Sequence, residues 1–397
     1  MNYGTIKIET APGKAAKHSM GRKIMQYRDF GKTGIKVSAL GFGAMRLPIL
    51  QEEQVDEKRA VSMIRHAIDK GVNYIDTAYP YHQGESEKIV GKALKDGYRE
   101  KTYLATKCPV WKLEKPEDFD EVLDEQLSKL QTDHVDFYLL HALSRDRFED
   151  KVKKFDLVKR MEKAREDGKI KYLGFSFHDS YDVFQDILDY YDGWDFCQIQ
   201  YNYVDLEHQA GLKGLKAAAK KGLAVVVMEP LLGGKLADPA DHVKKAFPDE
   251  KSPVEYALDF LWDQSEVSLL LSGMSDERQL EENLVFADRS HVGMVKSKEK
   301  QAYKKAKELF DSMALVGCTG CRYCLPCPFG LEIPDIFSFY NMTAAHKERE
   351  AKDGYEAMSV KAEDCRACHH CEEECPQMIT ISQVMPQVAS VFAKLKA

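Results

Sequence analysis

An α/β chain, built as a closed (β/α)8 barrel with a smaller, mostly helical, cysteine-rich domain behind it, is what three observations on this sequence predict. Eight apolar, strand-like runs alternate with amphipathic helical stretches, the pattern of parallel strands joined by helical crossovers. That rhythm stops after about residue 290. Eight of the ten cysteines then crowd into two short runs, whereas the whole chain before residue 318 holds only Cys108 and Cys197. At 397 residues there is room for one barrel, the TIM-barrel topology, and one small module.

The strand-like runs are 37–41, 72–76, 103–107, 135–141, 170–176, 196–200, 224–228 and 268–272. Between them lie helical stretches such as 58–70, with Val61, Ile64 and Ile68 at helical spacing, and 119–130. An open, doubly wound sheet is the competing topology. The count of eight favours closure, and Gly41, Gly43 and the Ala44-Met45-Arg46 that follows do not complete a G-x-G-x-x-G phosphate loop. Past the barrel, a Lys-rich helical stretch at 296–313 leads into the first cysteine run. The charged segment 337–358 reads as helical, and 384–396 as a closing amphipathic helix. The expected organisation is a polar leader or expression artefact at 1–25, the barrel at 26–295 and the helical domain at 296–397.

Hydrophobic content of 44% and charged content of 30% supply a large core without suggesting disorder. A net charge of −7 with no long basic run gives no attraction for phosphate backbones, so nucleic acid is not an expected partner. No apolar stretch approaches the roughly 18 residues of a membrane helix, and the N-terminal residues lack the apolar core of a secretory signal. The expectation is a cytoplasmic protein with no membrane partner.

Cysteine clustering in such a chain favours metal over disulfides. The runs are Cys318-Thr-Gly-Cys321-Arg-Tyr-Cys324-Leu-Pro-Cys327-Pro328 and Cys365-Arg-Ala-Cys368-His-His-Cys371-Glu-Glu-Glu-Cys375-Pro376. The second fits C-x2-C-x2-C-x3-C-P, in which three thiolates wrap one 4Fe-4S cubane and the fourth, held by the proline, reaches the other cluster. The expected ligand sets are therefore Cys318, Cys321, Cys324 and Cys375 for one cluster, and Cys365, Cys368, Cys371 and Cys327 for its partner. The first run departs from the pattern, with two residues before its last cysteine. Structural zinc is the bland alternative, but it uses C-x2-C pairs set apart by a longer loop. Cys108, beside Lys107, reads as a buried filler ahead of a reactive thiol, and Cys197 as core.

In a β/α barrel the reaction centre sits at the C-terminal ends of the strands. Asp76, Lys107 and His141 end successive strands, and Tyr81 lies on the loop after Asp76. Any one alone reads as a cap or a satisfied core group. Through Asp76-Thr-Ala-Tyr-Pro-Tyr81 with Gly84-Glu-Ser-Glu87, Thr106-Lys107 and Asp136-Phe-Tyr-Leu-Leu-His141, residues 26–283 closely resemble the aldo-keto reductase family. With the Cys-Pro motifs, the chain resembles that family's iron-sulfur branch. The resemblance implies Tyr81 as proton donor, Lys107 and Asp76 as the pair that tunes it, and His141 as an orienting donor. The chemistry is consistent: a phenol of pKa about 10 is a weak acid unless a cation favours its phenolate.

The same resemblance implies a nicotinamide cradle from Ser176, Gln200 on the carboxamide, Tyr201 stacked on the ring, Met228 and the glycine-rich loop after it. Gly273, Ser275, Gln279 and Asn283 match the adenosine end. Ser275 and Asp276 stand where many relatives carry a base for a 2′-phosphate, and an acid near the ribose favours a free hydroxyl. NADH and NADPH are both open, as is a flavin. The leading functional expectation is a carbonyl/alcohol oxidoreductase acting on a small-molecule substrate, with two 4Fe-4S clusters exchanging electrons with a ferredoxin-like partner. The alternatives are a plain NAD(P)H carbonyl reductase whose clusters are structural, and a non-enzymatic redox-sensing binding protein.

Overall fold

A computed structural model describes residues 25–50, 54–312, 315–344 and 347–396. Of the expected leader at 1–25, all but Met25 lies outside them. Eight parallel strands close into a barrel: β3 (Leu40–Gly43), β4 (Tyr74–Asp76), β5 (Tyr103–Cys108), β6 (Val135–Leu143), β7 (Ile170–Phe177), β8 (Phe196–Gln200), β9 (Ala224–Met228) and β10 (Leu269–Gly273), with β10 paired to both β9 and β3. Helices follow the strands, among them Glu57–Asp69 and Asp118–Leu130, which bury Ile64 and Ile68, and Phe119 and Leu127, against the barrel wall.

The first predicted strand, 37–41, straddles two elements. Lys36–Ser38 (β2) pairs antiparallel with Tyr27–Asp29 (β1), and the barrel strand starts only at Leu40. This hairpin closes the barrel floor. Phe30, fully buried, packs 4.6 Å from Phe137 and 5.5 Å from Phe196, beside Val226 and Leu269. The lower half of the barrel is thus a filled core, which leaves only the C-terminal mouth for chemistry.

The helix Ser297–Asp311, read from sequence as the start of the C-terminal domain, packs on the barrel: Ala302, Tyr303 and Ala306 bury against Tyr203, Phe247 and Tyr256. The C-terminal core gathers instead Val316, Phe337, Tyr355, Met385 and Phe392. The stretch 337–358 holds parts of two helices, Ile333–Ala344 and Glu348–Ala357, and the closing helix is Ile381–Lys396. Among the described residues no helix is long and apolar enough to cross a membrane.

Candidate active site

Asp76, Lys107 and His141 enter the barrel mouth from neighbouring strands β4, β5 and β6; Asp76 pairs with Ala105 and Lys107 with Leu139, so each lies two residues beyond its predecessor's partner, a stagger that brings all three to one mouth. The loop after Asp76 returns Tyr81 above them through a tight turn in which His82, Gln83 and Gly84 all take positive φ. The Lys107 ammonium is buried and donates to Asp76 Oδ1 (2.7 Å) and the Thr77 carbonyl (2.8 Å), with Tyr81 Oη at 3.4 Å. The Tyr81 ring stands edge-on to His141, centroids 6.2 Å apart, and Trp111 backs His141 at 5.1 Å.

Burial pushes Lys107 down and Asp76 up, and the attraction between the two opposes both shifts. Burial, reinforced by the Asp76 charge, holds Tyr81 well above the ordinary phenol value, against the pull of Tyr323 and Arg46. The cation expected to draw the phenol down is therefore matched by Asp76, and Tyr81 stays a protonated donor. Burial, with Lys107 and Arg147 nearby, holds His141 well below the ordinary imidazole value, so the ring is neutral. Cys108 and Cys197 are buried, and burial pushes the Cys108 thiol up to about 12, as core fillers require.

These residues line a cavity of about 560 Å3, within the range of small-molecule and cofactor sites. Ser176, Met228, Gly273, Ser275, Gln279 and Asn283 line it. Gln200 and Tyr201 do not. Gln200 exchanges hydrogen bonds with Gln377 (2.8 and 3.3 Å), and Tyr201 faces outward, packed 5.8 Å from Phe260 with its hydroxyl on Gln264. Gln198, on the same face of β8 but deeper, reaches the cavity instead with its Oε1 unpartnered. The Asp276 carboxylate caps the helix Glu277–Asp288, accepting from Gln279 N (2.8 Å).

The fourth wall comes from the C-terminal domain, which sequence reasoning missed. Thr319, Cys321 and Tyr323 from the first cysteine run and Pro376 and Gln377 after the second line the same cavity. The seam is fastened by Arg147 to Glu374 (3.2 Å), Arg46 to the Gly320 carbonyl (3.2 Å) and Gln209 to the Pro376 carbonyl (2.8 Å). Four of the seven buried side-chain polar atoms left without a partner among the described residues, on Asp76, His141, Gln198 and Thr319, belong to side chains lining this cavity. Such groups are costly unless something polar meets them.

The cysteines border two further cavities, one lined by Cys318, Cys321, Cys324 and Cys375 and the other by Cys327, Cys365, Cys368 and Cys371. Among the described residues no three His, Cys, Asp or Glu side chains gather as a single ion requires. Gly320 N donates to Cys318 Sγ at 3.4 Å, and backbone N–H groups of Tyr323, Gln377, Met378 and Ile379 address the sulfurs of Cys321 and Cys375. Two sets of four soft thiols, with amides aimed at their sulfurs, fit iron-sulfur cubanes. Cys321 and Thr319 belong to both the first of these cavities and the barrel cavity.

Fold and site define a barrel oxidoreductase. The profile of the Aldo/keto reductase family matches residues 39–298, and that of a 4Fe-4S dicluster domain matches 317–380. The chain is 31% identical to the L-galactose dehydrogenase of Arabidopsis thaliana over 66% of its length and 87% of that protein's. It is 38% identical to the aldo-keto reductase YhdN of Bacillus subtilis over 30% of its length and 38% of that protein's. Among solved structures, the holo form of aldo-keto reductase AKR11C1 from Bacillus halodurans superposes with a TM-score of 0.60 at 26% identity, covering 71% of this chain and 96% of that one. The chain belongs to the aldo/keto reductase family and carries a C-terminal 4Fe-4S dicluster domain.

Proposed function

We propose that this protein is a cytoplasmic oxidoreductase that interconverts a small carbonyl compound and its alcohol with NADH or NADPH, and that two 4Fe-4S clusters exchange electrons with a ferredoxin-like partner. When bound, the nicotinamide supplies a hydride and the clusters supply single electrons. The chain's own residues do the rest. Tyr81 gives its proton to the carbonyl oxygen, Lys107 offsets the charge left on the phenol, and Asp76 holds the ammonium in place. Neutral His141 donates to the oxygen as it becomes negative. Gln198 and Ser176 are suited to a carboxamide, whose amide can satisfy the Gln198 oxygen. The cubanes would take Cys318, Cys321, Cys324 and Cys375, and Cys327, Cys365, Cys368 and Cys371.

The observation that carries this reading is the position of Cys321, which lines the barrel cavity and a cysteine cavity at once. A second reading, in which the clusters are structural, is favoured by the same loop building the cavity wall, a role that needs only its fold. Anaerobic purification with iron and sulfide counting, followed by spectra during NADH and NADPH addition, separates the two. Bleaching of the cluster absorption supports electron exchange, turnover without bleaching supports the structural role, and zinc without sulfide removes both. Tyr81→Phe is expected to lower carbonyl turnover by about 10² to 10⁴ with iron and sulfide unchanged.

A further inference from the structure

His178 follows the last residue of β7 and has no part in the tetrad. Its backbone N–H donates to the Leu143 carbonyl (2.9 Å), which ties it to the strand carrying His141, and its half-buried side chain lines the barrel cavity. Nδ1 lies 3.2 Å from Gln209 Oε1, and Gln209 Nε2 donates to the Pro376 carbonyl at 2.8 Å. A carbonyl oxygen only accepts, so the amide nitrogen of Gln209 must face Pro376 and its oxygen must face the imidazole. That oxygen also only accepts, so Nδ1 carries the ring's proton. Burial, which pushes the ring down to about 4, keeps it neutral and leaves Nε2 a bare acceptor. Gln209 is 6% exposed and takes φ +53°, a left-handed conformation that a residue with a side chain adopts only where its surroundings impose it. Nε2 of His178 has no hydrogen-bond partner among the described residues, and it is not among their seven buried, unpartnered atoms. It is therefore open, in a side chain whose open side is the cavity.

We propose that His178 is a substrate-binding residue whose Nε2 accepts a hydrogen bond from a donor group on the substrate, so that the cavity selects small carbonyl compounds bearing a hydroxyl over those bearing only acceptors. The inference rests on the carbonyl-reductase reading for calling the bound molecule a substrate, but not for the state of the ring. A hydroxyl in that place donates to Nε2, whereas a methyl ether sets its own lone pairs against the nitrogen's. Sites built to bond a substrate hydroxyl discriminate strongly against the analogue that cannot make the bond. Gln209 is the positioning residue, since it fixes which nitrogen holds the proton.

The test uses the full-length, cluster-loaded protein with His178→Phe and Gln209→Leu, each checked for iron, sulfide and visible spectrum. Two ketone pairs, hydroxyacetone with methoxyacetone and 4-hydroxy-2-butanone with 4-methoxy-2-butanone, are compared by kcat/KM. In parallel, 15N NMR of histidine-labelled protein, with the His178 signals assigned by their loss in His178→Phe, reads the protonation of each ring nitrogen with and without hydroxyl ketone, ether ketone and NAD+. The wild type is expected to show a protonated Nδ1, an unprotonated Nε2 that shifts with a hydroxyl ketone and not with its ether, and a kinetic preference for the hydroxyl member of at least one pair. His178→Phe should reduce that preference roughly five- to tenfold, the worth of one hydrogen bond. Gln209→Leu should reduce it as well and release the proton to both nitrogens; where that variant does not fold, His178→Phe decides alone. Equal kcat/KM within both wild-type pairs, a preference unchanged in His178→Phe, a protonated Nε2, or a shift produced by NAD+ alone overturns the proposal, the last by giving Nε2 to the cofactor. Absence of turnover with Nε2 still answering only the hydroxyl ketones overturns the carbonyl-reductase reading and leaves the subsite standing.

Discussion

Lys107 Nζ sits 2.7 Å from Asp76 Oδ1 in a site where neither side chain is more than 3% exposed, and the same ammonium lies 3.4 Å from the Tyr81 hydroxyl. A buried ion pair of this kind is expensive to break from one side, because the surviving charge has no solvent to turn to.

Asp76→Asn is accordingly expected to cost roughly 3–5 kcal/mol of stability, read as a lower denaturant midpoint. Replacing both partners with apolar groups, Asp76→Leu with Lys107→Met, should recover much of that loss while turnover stays absent. A double variant no more stable than the single one would mean that the pair is not what the fold lacks.

Gln198 and Gln200 separate cleanly by experiment. Gln198→Ala is expected to weaken nicotinamide binding roughly five- to tenfold, the worth of one hydrogen bond to a buried group. Gln200→Ala should leave that binding within about twofold and lower the melting temperature instead, since its side chain is bonded to Gln377 across the domain seam and to Asp205. Equal effects on nucleotide binding would return Gln200 to the cofactor site.

The crossed cysteine sets predict a pattern of non-additivity. Cys327→Ser and Cys368→Ala address one cavity, so together they should cost no more iron than either alone. Cys327→Ser with Cys321→Ser addresses both cavities and should remove nearly all of it. Iron and sulfide per chain, counted anaerobically, decide the matter.

Gly233 takes φ +63° and faces the cluster loop, and a Cβ there would lie 2.0 Å from the Thr319 carbonyl oxygen. Gly233→Ala must displace that loop or its own backbone, at a cost of about 1–3 kcal/mol. The expected signs are a lowered melting temperature and faster loss of cluster absorption in air. Wild-type behaviour in both would show that the seam yields more easily than its contacts suggest.

Burial pushes His178 from 6.5 down to about 4, with its ring on Gln209 at 3.2 Å. Below pH 6.5 the unfolded chain takes up a proton that the folded chain refuses, so stability falls as pH drops from about 6.5 to 4. The loss is at most about 3 kcal/mol, since the ring is partly open to the cavity. Urea midpoints of His178→Gln should decline less over that window than those of the wild type, a comparison in which acid damage to the clusters affects both proteins alike. Parallel declines would place the acid sensitivity elsewhere.

Much of this molecule is legible along the chain because its signals are local. Eight apolar runs and their helices follow from residue periodicity, and the C-x2-C spacings follow from the width of a cubane face. The tetrad of Asp76, Tyr81, Lys107 and His141 is readable because strand ends in a parallel barrel meet at one mouth. Gln198 against Gln200 is not readable that way, since both lie on the same face of β8 and only the barrel's stagger sets which one reaches the cavity. Tyr201 points outward for a related reason, being one step out of phase with Gln200. The antiparallel pairing of β1 with β2 was hidden because β2 and β3 are separated by Ala39 alone and read as a single apolar run. Asp276 reads along the chain as an acid that fits a ribose, and that it also caps the helix Glu277–Asp288 is visible only in the fold. Above all, the joining of Thr319 and Tyr323 to the barrel depends on contacts between residues far apart along the chain, Thr319 with Gly233 and Tyr323 with His141. Sequence spacing carries no trace of such contacts, because they arise only when two independently patterned cores are packed face to face.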